Sequence, residues 1–486
     1  MLQPPGDGGG AGRIMPLDES TVARPRTAHD LMTLVLIIAA LLVTTIGAAV
    51  KGGPRLVGSV FLVLGLVAIS WNAVRVGPLE PGDALLLAAA FALALDALRR
   101  RRAPWMPALM LGGAALIAAS GLLTALAPPS ASYLSARTLF PNPYVIYGLH
   151  SLSSDGNLAS LGKFLVALVL LPMMVQVMEP SRREVRVLAG AWAVSALISA
   201  GVAVLDATGH THISASLLGY VPGGGRQAGL SIQPNHLAVA LILATPVVLS
   251  WMRSTSSAVR LLSLPALLVL AAGVLLTSSR GGFVGLLIAA GLTIVLVPEL
   301  RPSPRVLAVV LPLGCMALLG LGASLLPGLA TQSRLASGLG DLSDAQRTIL
   351  QAQAIADFSV SPIHGIGFDH VDEAHQVFLQ LLAAGGVIGL LGYLTYWIGV
   401  LRTGLLARRV DPNIASVLLV SSLCFLALNL VENQVTDRYL YVPAALIAGL
   451  AALRRRASES APARELSAGT PLAALTVAPP LGGTAR

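Results

Sequence analysis

The 486-residue chain is 55% hydrophobic and 11% charged, with a mean hydropathy of +0.78, which excludes a soluble globule and makes lipid its main solvent. A net charge of +9 and a pI near 10.1 would suit a nucleic-acid partner. The basic residues, however, sit in short clusters between apolar runs, and that placement argues for a membrane and against nucleic acid.

Residues 1–28 are rich in Gly, Pro and Ala and are expected to be a disordered tail. They lack the pattern of a secretory signal, so the first apolar run is read as an uncleaved anchor. The multi-span region then covers 29–456, with apolar segments near 31–50, 56–71, 84–98, 104–127, 159–177, 187–206, 235–251, 261–278, 282–297, 306–326, 376–401, 413–430 and 439–453. Roughly 20 residues cross a bilayer. With no water inside to satisfy the backbone, each segment should be a helix.

From residue 99 onward, Arg99 to Arg102, Arg182/Arg183/Arg186, Arg253 with Arg260, Arg301 with Arg305, Arg402/Arg408/Arg409 and Arg454 to Arg456 occupy every second connection, while the first three spans fit the pattern less well. That alternation assigns those loops to the cytoplasm and the loops 128–158, 207–234, 279–281, 327–375 and 431–438 to the outside. Thirteen crossings would leave Arg13, Arg24 and Arg26 external, so twelve crossings (11–13) are expected. The fold class is therefore an all-α polytopic membrane protein, with its large external loop between the tenth and eleventh hydrophobic segments. Cys315 and Cys424 read as small residues within spans, no repeat of fixed period is visible, and 457–486 is a second tail expected to be disordered.

Four external features carry potential chemistry, taken in chain order. In GGGRQAGLSIQPNHLAVALIL, 223–243, Arg226 precedes Pro234-Asn235-His236, which open a helix whose free N–H groups attract anions. An ordinary capped helix start explains Asn235 and His236 equally well. In TSSRGGFVGLL, 277–287, Arg280 stands at a tight turn on the side where positive charge serves no topological purpose. The loop 327–375 holds Arg334 and a short amphipathic helix between Asp344 and Phe358, with Ala345, Ile349, Ala352 and Ala356 at helical spacing, Leu350 and Ile355 close to the same face, and Arg347 on its first turn. Ser361-Pro362 should stop that helix, and Gly365-Ile-Gly367 should give a flexible turn.

The fourth feature is DHVDEAH, 369–375, at the mouth of an apolar span. His370 and His375 lie five apart, a spacing that fits no helical or finger-type metal site, and the glycine and ligand spacing of a calcium loop are absent. Asp369, Asp372 and Glu373 suit a solvated rim beside a helix N-terminus. His375 stands where desolvation keeps an imidazole neutral and able to accept a proton.

These pieces in this order resemble the O-antigen ligase and O-antigen polymerase family of bacterial membrane glycosyltransferases. The matching stretches are RQAGLSIQPNHLAVALIL, SSRGGFVGLL, the loop with Arg347 and SPIHGIGF, and HQVFLQLLAAGGVIGLLGYL, together about 220–400. Two departures stand out: His375 is followed by Gln376 where the family shows an H-N pair, and Ala384 occupies the place of a usual acid.

The resemblance implies a helical fold like that of the multi-span (GT-C) glycosyltransferases, in the plasma (inner) membrane of a bacterium, with the site on the external or periplasmic side. It further implies transfer of a glycan from a polyprenyl (undecaprenyl-type) pyrophosphate to a hydroxyl of a glycan, lipid or protein, with no cofactor and no metal. By motif, His375 would be the general base and Arg280 and Arg347 would clamp the diphosphate; Arg226, Asn235, His236, Arg334 and His370 would bind substrate. Ligase and polymerase are not separated by these motifs. A transporter of lipid-linked glycans is the non-enzyme alternative. A metal-dependent enzyme would carry acidic pairs in the first external loop, where 128–158 has only Asp155.

Overall fold

The computed structural model describes residues 47, 53–75, 80–101, 103–133, 156–219, 222, 225–300, 339–368 and 374–468. Within them the chain is helical, without strands. The elements are α1 (Pro54–Ala68), α2 (Pro81–Arg99), α3 (Ala108–Leu126), and α4, which runs as Gly156–Leu165, a π turn Val166–Leu170, and Leu171–Met178. They continue with α5 (Arg182–Ala207), the short α6 (Ile213–Leu218), α7 (Pro234–Ser250), α8 (Ser257–Leu276) and α9 (Arg280–Leu296). The last four are α10 (Leu339–Val360), α11 (Val377–Ala407), α12 (Pro412–Leu428) and α13 (Val442–Ala468).

Seven of the described helices are long and apolar enough to cross a membrane, and α1, α9 and α12 are shorter apolar helices. The protein is a multi-pass membrane protein. Two of the thirteen expected segments, 31–50 and 306–326, lie outside the described residues, as does Cys315; Cys424 is buried and free. α13 continues past residue 457, where the second tail was expected to begin.

Contacts sort the connections into two ends. At one end Arg186 pairs with Asp411 at 2.7 Å, Arg456 lies 3.7 Å from Glu179, Arg55 donates to the Glu179 carbonyl at 3.2 Å, and Arg455 stacks over Trp105 at 5.1 Å. Ser181 closes a reciprocal cap with Glu184 there, and the Asp411 carboxylate caps α12. At the opposite end the starts of α2, α7, α9 and α11 meet the connection between α12 and α13. Among the described residues the arginine clusters thus share one end of the bundle, in line with their alternation along the chain; Arg301 and Arg305 lie outside the described residues.

The core is apolar, with Trp192, Trp397, Tyr393, Tyr396 and Tyr441 among its fully buried side chains. Pro172 lacks an N–H, which would leave the Leu168 carbonyl without a donor. The π turn in α4 absorbs this defect, and the buried Tyr396 hydroxyl of α11 donates to Leu168 O at 3.1 Å. α3 and α11 approach backbone to backbone: a Cβ added at Gly392 would lie 2.8 Å from the Gly113 carbonyl oxygen, so only a bare Cα permits this crossing.

α11 is interrupted near its start. Gly386 has φ 59 and ψ −162, a conformation L side chains rarely adopt. The carbonyls freed on one side of the break, Ala383 and Ala384, accept from the Ile366 and Gly367 N–H groups at 2.9 and 3.0 Å. The N–H groups freed on the other side, Val387 and Ile388, donate to the Pro362 and Ile363 carbonyls at 2.8 and 3.1 Å. The stretch 361–368 therefore fills the gap as a wedge, with Thr124 donating to His364 O at 2.7 Å and Asn157 accepting from Phe368 N at 3.0 Å. The turn expected to be flexible at Gly365–Gly367 is pinned, because buried backbone groups on both sides need partners.

α10 ends at Val360, as Ser361-Pro362 demanded, but it begins earlier than expected, at Leu339. Its packed face agrees with the expected one only in part. Ile349 and Ile355 are exposed, whereas Leu350, Ala354 and Asp357 are buried and Arg347 is half-buried. Asp357 accepts from the Tyr133 hydroxyl at 2.7 Å and from Gln353 at 2.9 Å.

Candidate functional site

The polar end is built from three helix starts. At α7, extended Gln233 leads into Pro234, and Asn235 and His236 occupy the first turn. The guanidinium of Arg226 donates from Nη2 to Asn235 Oδ1 at 2.6 Å and from Nε to the Thr277 carbonyl at 2.8 Å. Arg226 thereby ties the start of α7 to the turn between α8 and α9. His236 is buried, with Nδ1 2.8 Å from Asp437 Oδ2 and 3.3 Å from the Asn72 amide nitrogen. Asn72 also donates to Asp437 Oδ1 at 3.4 Å and accepts from Ile232 N at 2.9 Å. Burial would raise the Asp437 carboxyl, but His236 and Arg438 beside it, with the Asn72 hydrogen bond, hold it below its usual range.

At α9, Ser279 caps the helix by accepting from Gly282 N at 3.1 Å, and Arg280, the first helical residue, is exposed. The next position, Gly281, faces Glu432: a Cβ there would lie 3.5 Å from Glu432 Oε1. Glu432, Asn433 and Gln434 are all buried. At α11, Val377 N donates to Asn429 O at 2.9 Å, which fixes the helix start against the end of α12.

His375 lies two residues before α11 with φ 49, a left-handed conformation uncommon for a side chain of this size. It is half-buried, and its Nδ1 is buried with no hydrogen-bond partner. Arg347 of α10 is also half-buried with an unpartnered Nε. Burial first, then the positive charges of Arg347 and His236, lower the His375 pKa to about 4. The imidazole is thus neutral at ordinary pH, beside cationic groups and helix N-termini that favour an anion.

Of the residues singled out in the sequence, Arg226 bonds Asn235 and the turn of Arg280, whereas His236, next along the chain, bonds Asp437 and Asn72 instead. His375 and Arg347 form an electrostatic pair that also feels His236. Arg334 and His370, with Asp369, Asp372 and Glu373, lie outside the described residues. Sequence reasoning missed the loop between α12 and α13: Glu432, Asp437 and Arg438. It also missed the partners of Arg438, Glu80 at 3.3 Å and Asp83 at 2.5 Å. The available signal was the density of polar groups in VENQVTDR, 431–438, between two apolar spans.

Residues 265–394 match the family model described as O-antigen ligase. The matched stretch runs from within α8 past the break in α11 and includes Arg280, Arg347 and His375. Arg226, Asn235 and His236 precede it. No curated protein matches the chain.

Proposed function

We propose that this chain, whose residues 265–394 match the O-antigen ligase family model, belongs to that family and transfers a glycan from a polyprenyl diphosphate to an acceptor hydroxyl. The arginine-rich end would face the cytoplasm of a bacterial plasma membrane and the polar end the external side. The acceptor oxygen attacks the anomeric carbon as the bond to the diphosphate breaks. His375 takes the hydroxyl proton, and the negative charge collecting on the diphosphate is held by Arg280 and Arg347. Direct attack inverts the anomeric centre. Arg226 holds Asn235 and the turn of Arg280 in register.

The observation that carries this reading is the neutral, half-buried His375 with an unpartnered ring nitrogen beside Arg347. A bound diphosphate would offset the Arg347 charge and raise the proton affinity of His375, so the base strengthens when the donor is present. The break in α11 invites comparison with the unwound helices of transporters. Here the four freed backbone groups are taken by 362–367, which favours the enzyme over the lipid-linked glycan transporter.

The test incubates purified protein with a polyprenyl-diphosphate glycan and candidate acceptors, with and without a divalent chelator. His375→Ala, Arg280→Ala and Arg347→Ala should each lower transfer, His375→Ala by about 100-fold or more, with folding retained. Full activity of His375→Ala would refute the base assignment, and loss of wild-type activity on chelation would refute the metal-free reaction. Transfer onto a second repeat unit identifies a polymerase; transfer onto lipid, protein or another terminal acceptor identifies a ligase.

A further inference from the structure

At the arginine-rich end, α3, α11 and α13 surround a half-open cavity of about 370 Å³. Its apolar lining includes Leu109, Gly399 and Leu406. Arg402, Arg454 and Arg455 also line it, and no acidic side chain does so among the described residues. Trp105 stands at its rim, with the Arg455 guanidinium 5.1 Å from the indole centroid.

The other arginines here offer a contrast. Arg100, Arg186 and Arg456 have carboxylates of Asp96, Asp411 and Glu179 at 3.0, 2.7 and 3.7 Å. Arg402 and Arg454 make no ion pair or side-chain hydrogen bond among the described residues, although they share one cavity. Arg402 is exposed and Arg454 half-buried on this half-open cavity, and an anion between two like charges offsets their repulsion.

The chemistry selects the anion. A phosphate group matches the planar fork of arginine, and the apolar lining matches an acyl chain. A tryptophan at the edge of spanning helices sits at headgroup depth. A free phosphate would leave the apolar lining uncovered, and a zwitterionic headgroup would bring a cation towards the arginines. We propose that this cavity binds an anionic phospholipid, its phosphate held by Arg402 and Arg454 and an acyl chain lying along Leu109, Gly399 and Leu406. The site is at the opposite end of α11 from His375 and does not depend on the glycosyl-transfer reading.

The test uses the full chain in nanodiscs of phosphatidylcholine with or without phosphatidylglycerol, reading retained lipid by native mass spectrometry and the melting temperature. Wild type should retain phosphatidylglycerol over phosphatidylcholine and melt higher with it. Arg402→Gln/Arg454→Gln should lower that retention at least about tenfold, and Arg402→Lys/Arg454→Lys should keep most of it. Arg99→Gln/Arg183→Gln, at the same end but outside the cavity, should leave retention unchanged. Equal retention by the Arg402→Gln/Arg454→Gln protein, or an equal loss in the Arg99→Gln/Arg183→Gln protein, would overturn the site in favour of diffuse surface attraction. A melting-temperature gain from inorganic phosphate as large as that from phosphatidylglycerol would overturn it in favour of a free-anion site.

Discussion

His375 is held near pKa 4 by burial first and by neighbouring positive charge second, and the two causes can be separated. A base works only while deprotonated, so activity should fall as pH drops through its pKa. The acid limb of kcat/KM is therefore expected near pH 4, and that of kcat higher, because the bound diphosphate offsets Arg347. Arg347→Gln removes one of the positive neighbours and should move the kcat/KM limb upward, towards the ordinary histidine value of about 6.5, while lowering the rate at every pH. A pH–rate profile with an unmoved limb would show that Arg347 does not act on His375. The sequence pointed to this residue because it stands between a polar loop and an apolar span. Its left-handed backbone and its proximity to His236, far earlier in the chain, left no mark there.

Among elements, α10 and α11 teach most. The amphipathic pattern in α10 was legible and its Leu350 is buried, but Ile349 and Ile355, read as part of the same apolar face, are exposed. The packed face interleaves Leu350 and Ala354 with Arg347 and Asp357, so counting apolar positions misses a face whose inward residues are partly polar. The break in α11 was invisible because AAGGVIG reads as continuous helix; only tertiary partners reveal it.

Gly386→Ala would meet a positive φ and push a Cβ into the Ile363 carbonyl, so it should cost about 1–3 kcal/mol and expose 361–368 to protease. Gly281→Ala, with only ordinary contacts nearby, should change stability little. At the start of α2, burial and Asp83 raise Glu80 to about 7 against the pull of Arg438. The folded state then binds more protons than the unfolded one between the usual glutamate pKa and about 7, so this group's contribution to stability falls as pH rises through that window. Glu80→Gln should therefore melt higher relative to wild type at pH 8 than at pH 5; an equal difference at both pH values would contradict this.

For the whole molecule, the division into an arginine-rich and a polar end followed directly from Arg99, Arg182, Arg402 and their neighbours, since lipid forces every connection to one side or the other. The polar end's interior did not follow. Arg438 reaches Glu80 across 358 positions of sequence, and a pairing at that distance has no local signature. The orientation is testable with a membrane-impermeant thiol reagent applied to intact cells. Thr436→Cys, exposed at the polar end, should be labelled, and Arg183→Cys, exposed at the other end, should be labelled only after the membrane is opened. The reverse pattern would invert the topology.

The wedge in α11 also bears on how the chain is made. Residues 387–407 form a helix about 30 Å long, enough to cross the hydrocarbon alone, while 377–385 is too short to do so. During synthesis 361–368 leaves the ribosome before the helix it will plug. Val387 and Ile388, at the start of the crossing half, gain protein partners for their N–H groups when Pro362 and Ile363 fold back onto them. Docking of the preceding loop thus completes the start of the crossing helix.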